Sequence, residues 1–462
     1  MICFTVLTAA SCSRDGSDES VTLELWTLAL RPTFTDYMTD LCEGFEAQHP
    51  GVEVVWVDVP FNGINRKLVA AVAAGHGPDV VNLSDRDFAR VAALGGLAGI
   101  DELLSAEEME RYLPGARRVL VMDGQTRALP WYLTTSVRLC NEALLAGAGM
   151  SAAGLADRWD GLQAQARDYQ EHTGGFLFSV PLGESSELPT MMLADGVVPF
   201  RETDAGLRAD LTKPEVVARV ASWVTLYRDG VLPRSAATRD HQAIIEMYQN
   251  GQLAVAQTGA NMLRRVRDAN PDVFADTAVR PAITGNLGRS HVAVMVLGVS
   301  SKSQHPELAA KLAAWVTSPE NQTELARQSG VLPSTPASLQ DSFFDPPEAS
   351  ELESADGMIA QARSISAGAL PEAVAFTPAM AAWPDLRRAF GEGIKRALLD
   401  GAEVEATLSK IEQEWDAILA AALPAGAEVL PTVEAVVESG AEPVTRRVTA
   451  GRETDRVGVG DE

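Results

Sequence analysis

Between Val21 and Leu83 the chain changes twice from strand-like to helix-like patterning, and this order constrains the fold more than any other feature. Val21, Leu23 and Leu25 alternate with polar neighbours, the period of a half-buried strand over Val21 to Thr27. Thr33-Phe34-Thr35-Asp36 has the form of a capping box. Behind it Phe34, Tyr37, Met38, Leu41 and Phe45 recur at helical spacing, and His49-Pro50-Gly51 stops the helix at a turn. Val52 to Val57 predicts a second strand. Ile64 to Ala74 predicts a second helix, broken at Gly75-His76-Gly77-Pro78, and Asp79 to Leu83 a third, largely apolar strand. Strand, helix, strand, helix, strand predicts an α/β fold with a parallel sheet and crossover helices. Leu25-Trp26-Thr27-Leu28-Ala29 lacks the glycines that a dinucleotide's pyrophosphate requires.

A chain of 462 residues is long enough for two sizeable domains. Its formal net charge of -25 argues against nucleic acid and against polybasic docking on anionic lipid, and fits a soluble surface. No apolar run is long enough to span a bilayer. The four cysteines, Cys3, Cys12, Cys42 and Cys140, form no C-x-x-C pair and have no histidine at zinc-finger spacing, so neither a metal site nor a cofactor is expected. Cys42 and Cys140 have two readings, a disulfide in an oxidising compartment or two separately buried thiols, and the second is the expectation. The stretch from Met1 to Ser11 is apolar and small, and it ends in Ala9-Ala10-Ser11-Cys12 before a polar run, Ser13 to Ser20. That order resembles an export signal with a lipobox, in which Cys12 is acylated and residues 1–20 serve as leader and tether. The alternatives are a cleavable signal without lipid or an unstructured leader.

Five segments in order carry a more specific resemblance. They are Phe45 to Val54, with its Pro-Gly turn; Ala73 to Val81, containing Ala74-Gly75-His76-Gly77-Pro78-Asp79-Val80; Ala128-Leu129-Pro130-Trp131 through Cys140-Asn141 to Met150; Asn250-Gly251-Gln252-Leu253-Ala254-Val255; and Val296 through His305-Pro306-Glu307 and Thr317-Ser318-Pro319-Glu320 to Gly330-Val331-Leu332-Pro333. Together they resemble the extracellular solute-binding proteins related to maltose-binding protein. The resemblance implies a periplasmic-binding-protein-like α/β fold of two discontinuous lobes, hinged around a cleft. Residues 21–136 with 292–333 would form the first lobe and 137–291 with 334–424 the second. The composition after Pro424 predicts a disordered tail over 425–462.

The function implied is capture of a carbohydrate or polyol for the transmembrane permease subunits of an ABC importer. Such a protein would be a monomer outside the cytoplasm that catalyses nothing and meets the membrane only through the lipid on Cys12. Ligands of open α/β sheets sit beyond the carboxyl ends of the strands. Sugar hydroxyls call for charged or amide side chains, and the ring face for an aromatic one. The loops after the expected strands offer Arg31, Asn62, Asp85, Trp131, Glu184, Asn261, Arg289 and Trp383 as ligand-binding candidates. Two roles stay open for Trp131, a platform for the sugar or packing at the hinge. Ser84 and Asp87 equally form a helix cap. Two other functions are weighed: a sensor of the same fold that docks a receptor, and a carbohydrate-active enzyme. For the enzyme, the chain offers no H-E-x-x-H and no G-x-S-x-G.

Overall fold

The computed structural model describes residues 20–60, 67–68, 71, 77–122, 124–204 and 206–422. Cys3, Cys12, Asn62, most of the helix expected over Ile64 to Ala74, and the tail over 425–462 lie outside the described residues. Strand β1 is Val21–Leu28, helix α1 Thr35–Gln48, strand β2 Val52–Val59 and strand β3 Val80–Ser84, with helix α2, Asp85–Ala93, directly behind. Both β2 and β3 pair in parallel with β1, as crossover connections allow. Alternate side chains of β1 enter two different cores. Leu23 and Leu25 pack with Tyr37, Met38, Leu41 and Phe45 of α1, while Trp26 and Leu28 pack with Phe88 and Ala89 of α2. A sheet covered on both faces needs apolar strands, and every residue of β3 is buried.

The capping box expected at Thr33 does not form. The N-cap of α1 is Phe34, with no side-chain bond, and Thr35 Oγ1 donates to the Pro32 carbonyl at 2.9 Å. The loop takes its order from β2 instead, because Asp58 accepts the backbone N–H groups of Leu30 at 3.0 Å and Arg31 at 2.9 Å. At α2 the cap read from Ser84 and Asp87 is present: Ser84 Oγ accepts from Asp87 N at 3.2 Å.

The remaining strands of the central sheet are β4 (Leu129–Asn141), β5 (Val255–Gly259), β6 (Thr277–Pro281), β7 (Val292–Val299) and β8 (Leu332–Pro333). The sheet has eight strands in the order β6-β4-β7-β3-β1-β2, with β5 and β8 also pairing to β4. One long strand joins its two halves. Leu129 to Thr135 of β4 pair antiparallel with β7, and Tyr132 and Leu133 with β8; from Ser136 onward the partners are β5 and β6.

The second half has its own cores. On one face lie Trp159 and Leu162 of α3 (Trp159–Thr173) and Val216, Val220, Trp223, Val224 and Tyr227 of α4 (Pro214–Arg228). The apolar stripe legible in α4 is therefore core. On the other face lie Leu263 and Val266 of α5 (Met262–Ala269) with Ile244 and Tyr248. Two α/β lobes result. Helix α6, Pro319–Ser329, gives Leu325 and Ala326 to the first lobe's cores. Helix α7, Ala355–Ala369, lies across both lobes, with Ala367 in the first and Ile359 and Ala362 in the second. Ala373 and Ala375 still pack with the first lobe, so the stretch after Pro333 is shared between the lobes. The reason is the helical period: α7 turns different side chains toward each of them.

Cys42 and Cys140 are free and buried in separate cores, and burial pushes both thiols up to about 12. Only the thiolate is nucleophilic, so both should alkylate about a hundredfold or more slowly in the native protein than in denaturant. Peptide mapping after iodoacetamide treatment checks this. Rapid native labelling at either position would mean that its core opens readily.

Candidate functional site

The first lobe presents its strand ends around Asp58. This carboxylate accepts from Thr27 Oγ1 at 2.7 Å as well as from the two loop N–H groups. Thr27 Oγ1 in turn accepts from Trp56 Nε1 at 2.7 Å, and the Arg31 guanidinium lies 4.1 Å from the centroid of the Trp56 ring. One acidic side chain on β2 therefore fixes the backbone before α1, and an indole beside it orients Arg31. Tyr132 of β4 is half-buried near this cluster. Burial first, and then the Asp58 charge, push its phenol up to about 12, which keeps it a neutral hydroxyl at physiological pH.

From the last turn of α2, Arg90 reaches the second lobe. Its Nη2 lies 3.4 Å from Asp385 Oδ2 on helix α8, Trp383–Leu399. Asp385 also accepts from Arg388 at 2.9 Å. Both members of the interlobe pair are substantially exposed, so the contact marks where the lobes approach and contributes at most about 1 kcal/mol.

The same helix anchors the loop after residues 176–182. That stretch runs beside β5, with Phe176 and Leu177 carbonyls accepting from Ala254 and Val255. The chain then turns at Gly183. Glu184 accepts from Lys395 at 3.2 Å, and Glu187 from Arg387 at 2.8 Å, while Arg387 also donates to the Ser186 carbonyl at 3.0 Å. His241 stands in this neighbourhood. Desolvation holds its imidazole below the usual range against the pull of Glu187 and Asp240, although the residue as a whole is exposed.

The sequence candidates fall into distinct places. Arg31 and Asp85 lie at the carboxyl ends of first-lobe strands, and Glu184 lies on the loop held by α8. Arg289 is at the return toward β7, 3.5 Å from Glu372, beside the His291 ring stacked on Phe376. Asn261 lies at the hinge, lining a small cavity with Thr134, Thr135, Gly330 and Ser366.

The two aromatic candidates are elsewhere than expected. Trp131 is fully buried in a first-lobe core, edge-on to Tyr132 at 5.2 Å. Trp383 is 1% exposed, among Phe200 and Trp415 in a second-lobe core. Neither offers a free ring face to solvent. Of the roles left open for Trp131, the geometry is that of packing. A strand-end or helix-start position brings a side chain near a cleft, but the face it takes depends on register with neighbours distant in sequence.

Asp58, Trp56, Arg90 and Asp385 were not singled out from the sequence. A signal existed for Asp58, a lone carboxylate inside the apolar run Val54-Val55-Trp56-Val57-Asp58-Val59. None existed for Arg90 and Asp385, which meet across 295 positions. Among the described residues no group of three or more His, Cys, Asp or Glu is placed to hold a metal, and no helix is long and apolar enough to cross a membrane.

Comparison with known proteins bears on this arrangement. The family described as bacterial extracellular solute-binding protein matches residues 31–323. A periplasmic-binding protein of Synechococcus sp. MITs9220, assigned to oligosaccharides, has a crystal structure that superimposes with a TM-score of 0.77 at 35% identity, covering 87% of this chain and 100% of that one. The maltotriose-binding protein of Pyrococcus abyssi is 22% identical over 308 residues, 66% of this chain and 64% of that protein. The diacetylchitobiose binding protein of Streptomyces coelicolor is 23% identical over 353 residues, 72% of this chain and 80% of that protein.

Proposed function

The chain belongs to the bacterial extracellular solute-binding protein family, and from that membership we propose that it captures a carbohydrate or related polyol between its lobes and delivers it to the permease subunits of an ABC importer, without chemical change. The observation that carries the reading is the match over residues 31–323 on a chain whose two α/β lobes share the long strand β4. The sugar ligands named for the relatives from Pyrococcus and Streptomyces support the solute class. In this reading Arg31 and Asp85 from one lobe and Glu184 from the other bind hydroxyls, as ionised groups do most strongly. Arg289 and Asn261 position the crossing segments. Residues 21–136 with 292–333 form most of the first lobe and 137–291 with 334–424 most of the second, α7 being shared.

The test is a thermal-shift screen of oligosaccharides, monosaccharides and polyols. A ligand that binds only the native state at a hundred times its Kd adds about 2.7 kcal/mol of stability. The solute that raises Tm should return unchanged after prolonged incubation, by chromatography. If no carbohydrate or polyol shifts the midpoint, the solute class is wrong. If the ligand is consumed, the protein is an enzyme.

Attachment to the outer face of the membrane as a monomeric lipoprotein belongs to the same proposal, supported by Ala9-Ala10-Ser11-Cys12 and the polar run behind it. With a functional export signal, Cys12→Ser should move the protein from the membrane fraction to the soluble one. Membrane association unchanged by that substitution would exclude acylation of Cys12 as the anchor.

A further inference from the structure

A second cluster of charge lies at the hinge, away from the strand ends. Arg363 of α7 lies 3.6 Å from the centroid of the Phe343 ring, and its Nε donates to the Phe343 carbonyl at 2.5 Å. Arg327 of α6 lies 5.3 Å from the same ring and gives one Nη to Asp341 at 2.6 Å. Arg264 of α5 is exposed nearby, close enough that its charge and that of Arg327 act on Arg363. Among the described residues neither Arg264 nor Arg363 has a carboxylate partner.

Two guanidinium groups over one ring, with the charge of a third reaching one of them, are unexpected in this chain. Asp and Glu number 63 against 38 Lys and Arg, so a surface arginine has carboxylates in excess to pair with. Burial, and then the charges of Arg264 and Arg327, push the Arg363 guanidinium below its ordinary range; an anion between these groups would reverse the second effect. Stacking on Phe343 and the bond from Nε fix the plane of Arg363 and leave its two Nη groups to donate. That is the pre-organised fork with which arginine grips oxyanions.

We propose that Arg327 and Arg363, which flank Phe343, form with the nearby Arg264 a binding site for a phosphate-type oxyanion. The site is built from both lobes. Arg264 stands on a helix packed in the second lobe and Arg327 on one packed in the first, with Arg363 on the helix that straddles them. An oxyanion held by all three ties the lobes together on the hinge side. The proposal does not depend on which solute the cleft takes. The oxyanion's source is either free phosphate or the phosphodiester of a lipid headgroup, since both present the same oxygens.

Inorganic phosphate titrated calorimetrically into the full chain, at constant ionic strength against chloride, should give a saturable isotherm. Arg363→Gln should abolish it, and Arg264→Gln should weaken binding by about tenfold or more. Arg264 is exposed, so its variant keeps the test valid if Arg363→Gln folds poorly. Arg118→Gln, at an exposed position on another helix, should change nothing. Sedimentation with phosphatidylglycerol vesicles, against phosphatidylcholine alone, separates the sources. Vesicle binding lost in Arg264→Gln points to the headgroup, and phosphate binding without vesicle binding points to the free ion. Absence of a saturable phosphate isotherm, or one that both cluster variants retain, overturns the proposal.

Discussion

Trp131→Ala is expected to lower the unfolding free energy by about 3–5 kcal/mol, the cost of deleting a large aromatic side chain from a packed core. The ring is fully buried among first-lobe residues that include Leu25, Leu129 and Leu297. Its indole N–H has no acceptor among the described residues, so apolar packing and the edge-on contact with Tyr132 hold it. Trp131→Phe, which keeps much of that packing and loses no hydrogen bond, should cost clearly less than the Ala variant. Chemical denaturation of the apo protein measures both. If the side chain were a platform for the solute, the pattern would invert: an almost unchanged apo midpoint and an affinity loss of about tenfold, or 1.4 kcal/mol. A stable apo Ala variant with weak binding would return Trp131 to the site.

Gly391→Ala should destabilise less than Trp131→Ala, but it should also reach the ligand. A Cβ at Gly391 would stand 2.8 Å from the Gly183 carbonyl carbon and 2.9 Å from Glu184 Cα, all of it backbone that has no rotamer to yield. Gly183 is pinned in turn, because a Cβ there would meet the Ala237 carbonyl carbon at 2.7 Å. Glycine at 391 lets α8 lie directly against the loop that carries Glu184 and Glu187, and glycine at 183 lets that loop lie against Ala237. Overpacking of this kind costs about 1–3 kcal/mol. Because the strain falls on the loop itself, solute affinity should drop by about tenfold as well. Denaturation and calorimetry on the same preparation separate the two effects. Full affinity in a destabilised Gly391→Ala variant would show that Glu184 and its loop do not contact the solute.

Both expectations concern residues that the sequence presents ambiguously. A tryptophan after Leu129-Pro130 reads equally as platform or packing, because strand-end position says nothing about which side of the sheet the ring takes. Gly183 and Gly391 are two glycines among 37, and only the contact between them gives them meaning. The fold was far more legible. Periodicity of two in β1, apolar recurrence along α1 and α4, and the stops at His49-Pro50-Gly51 are properties of contiguous residues. They survive into the structure with ends moved by a residue or two. The failed cap at Thr33 marks the limit of that method. Asp58 organises the loop from a neighbouring strand, and no local rule includes it.

The amino-acid sequence by itself determined the α/β order and the family, because motifs spread in order along a chain need no contact to be read. The tertiary structure alone decided how β4 divides its residues between two lobes, which aromatic rings are core, and which charges meet. Arg90 and Asp385 are 295 positions apart, as are Lys395 and Glu184 by 211. Pairs like these arise when separate helices and loops pack side by side, and the free energy that selects them comes from burying the two lobes' cores beneath them.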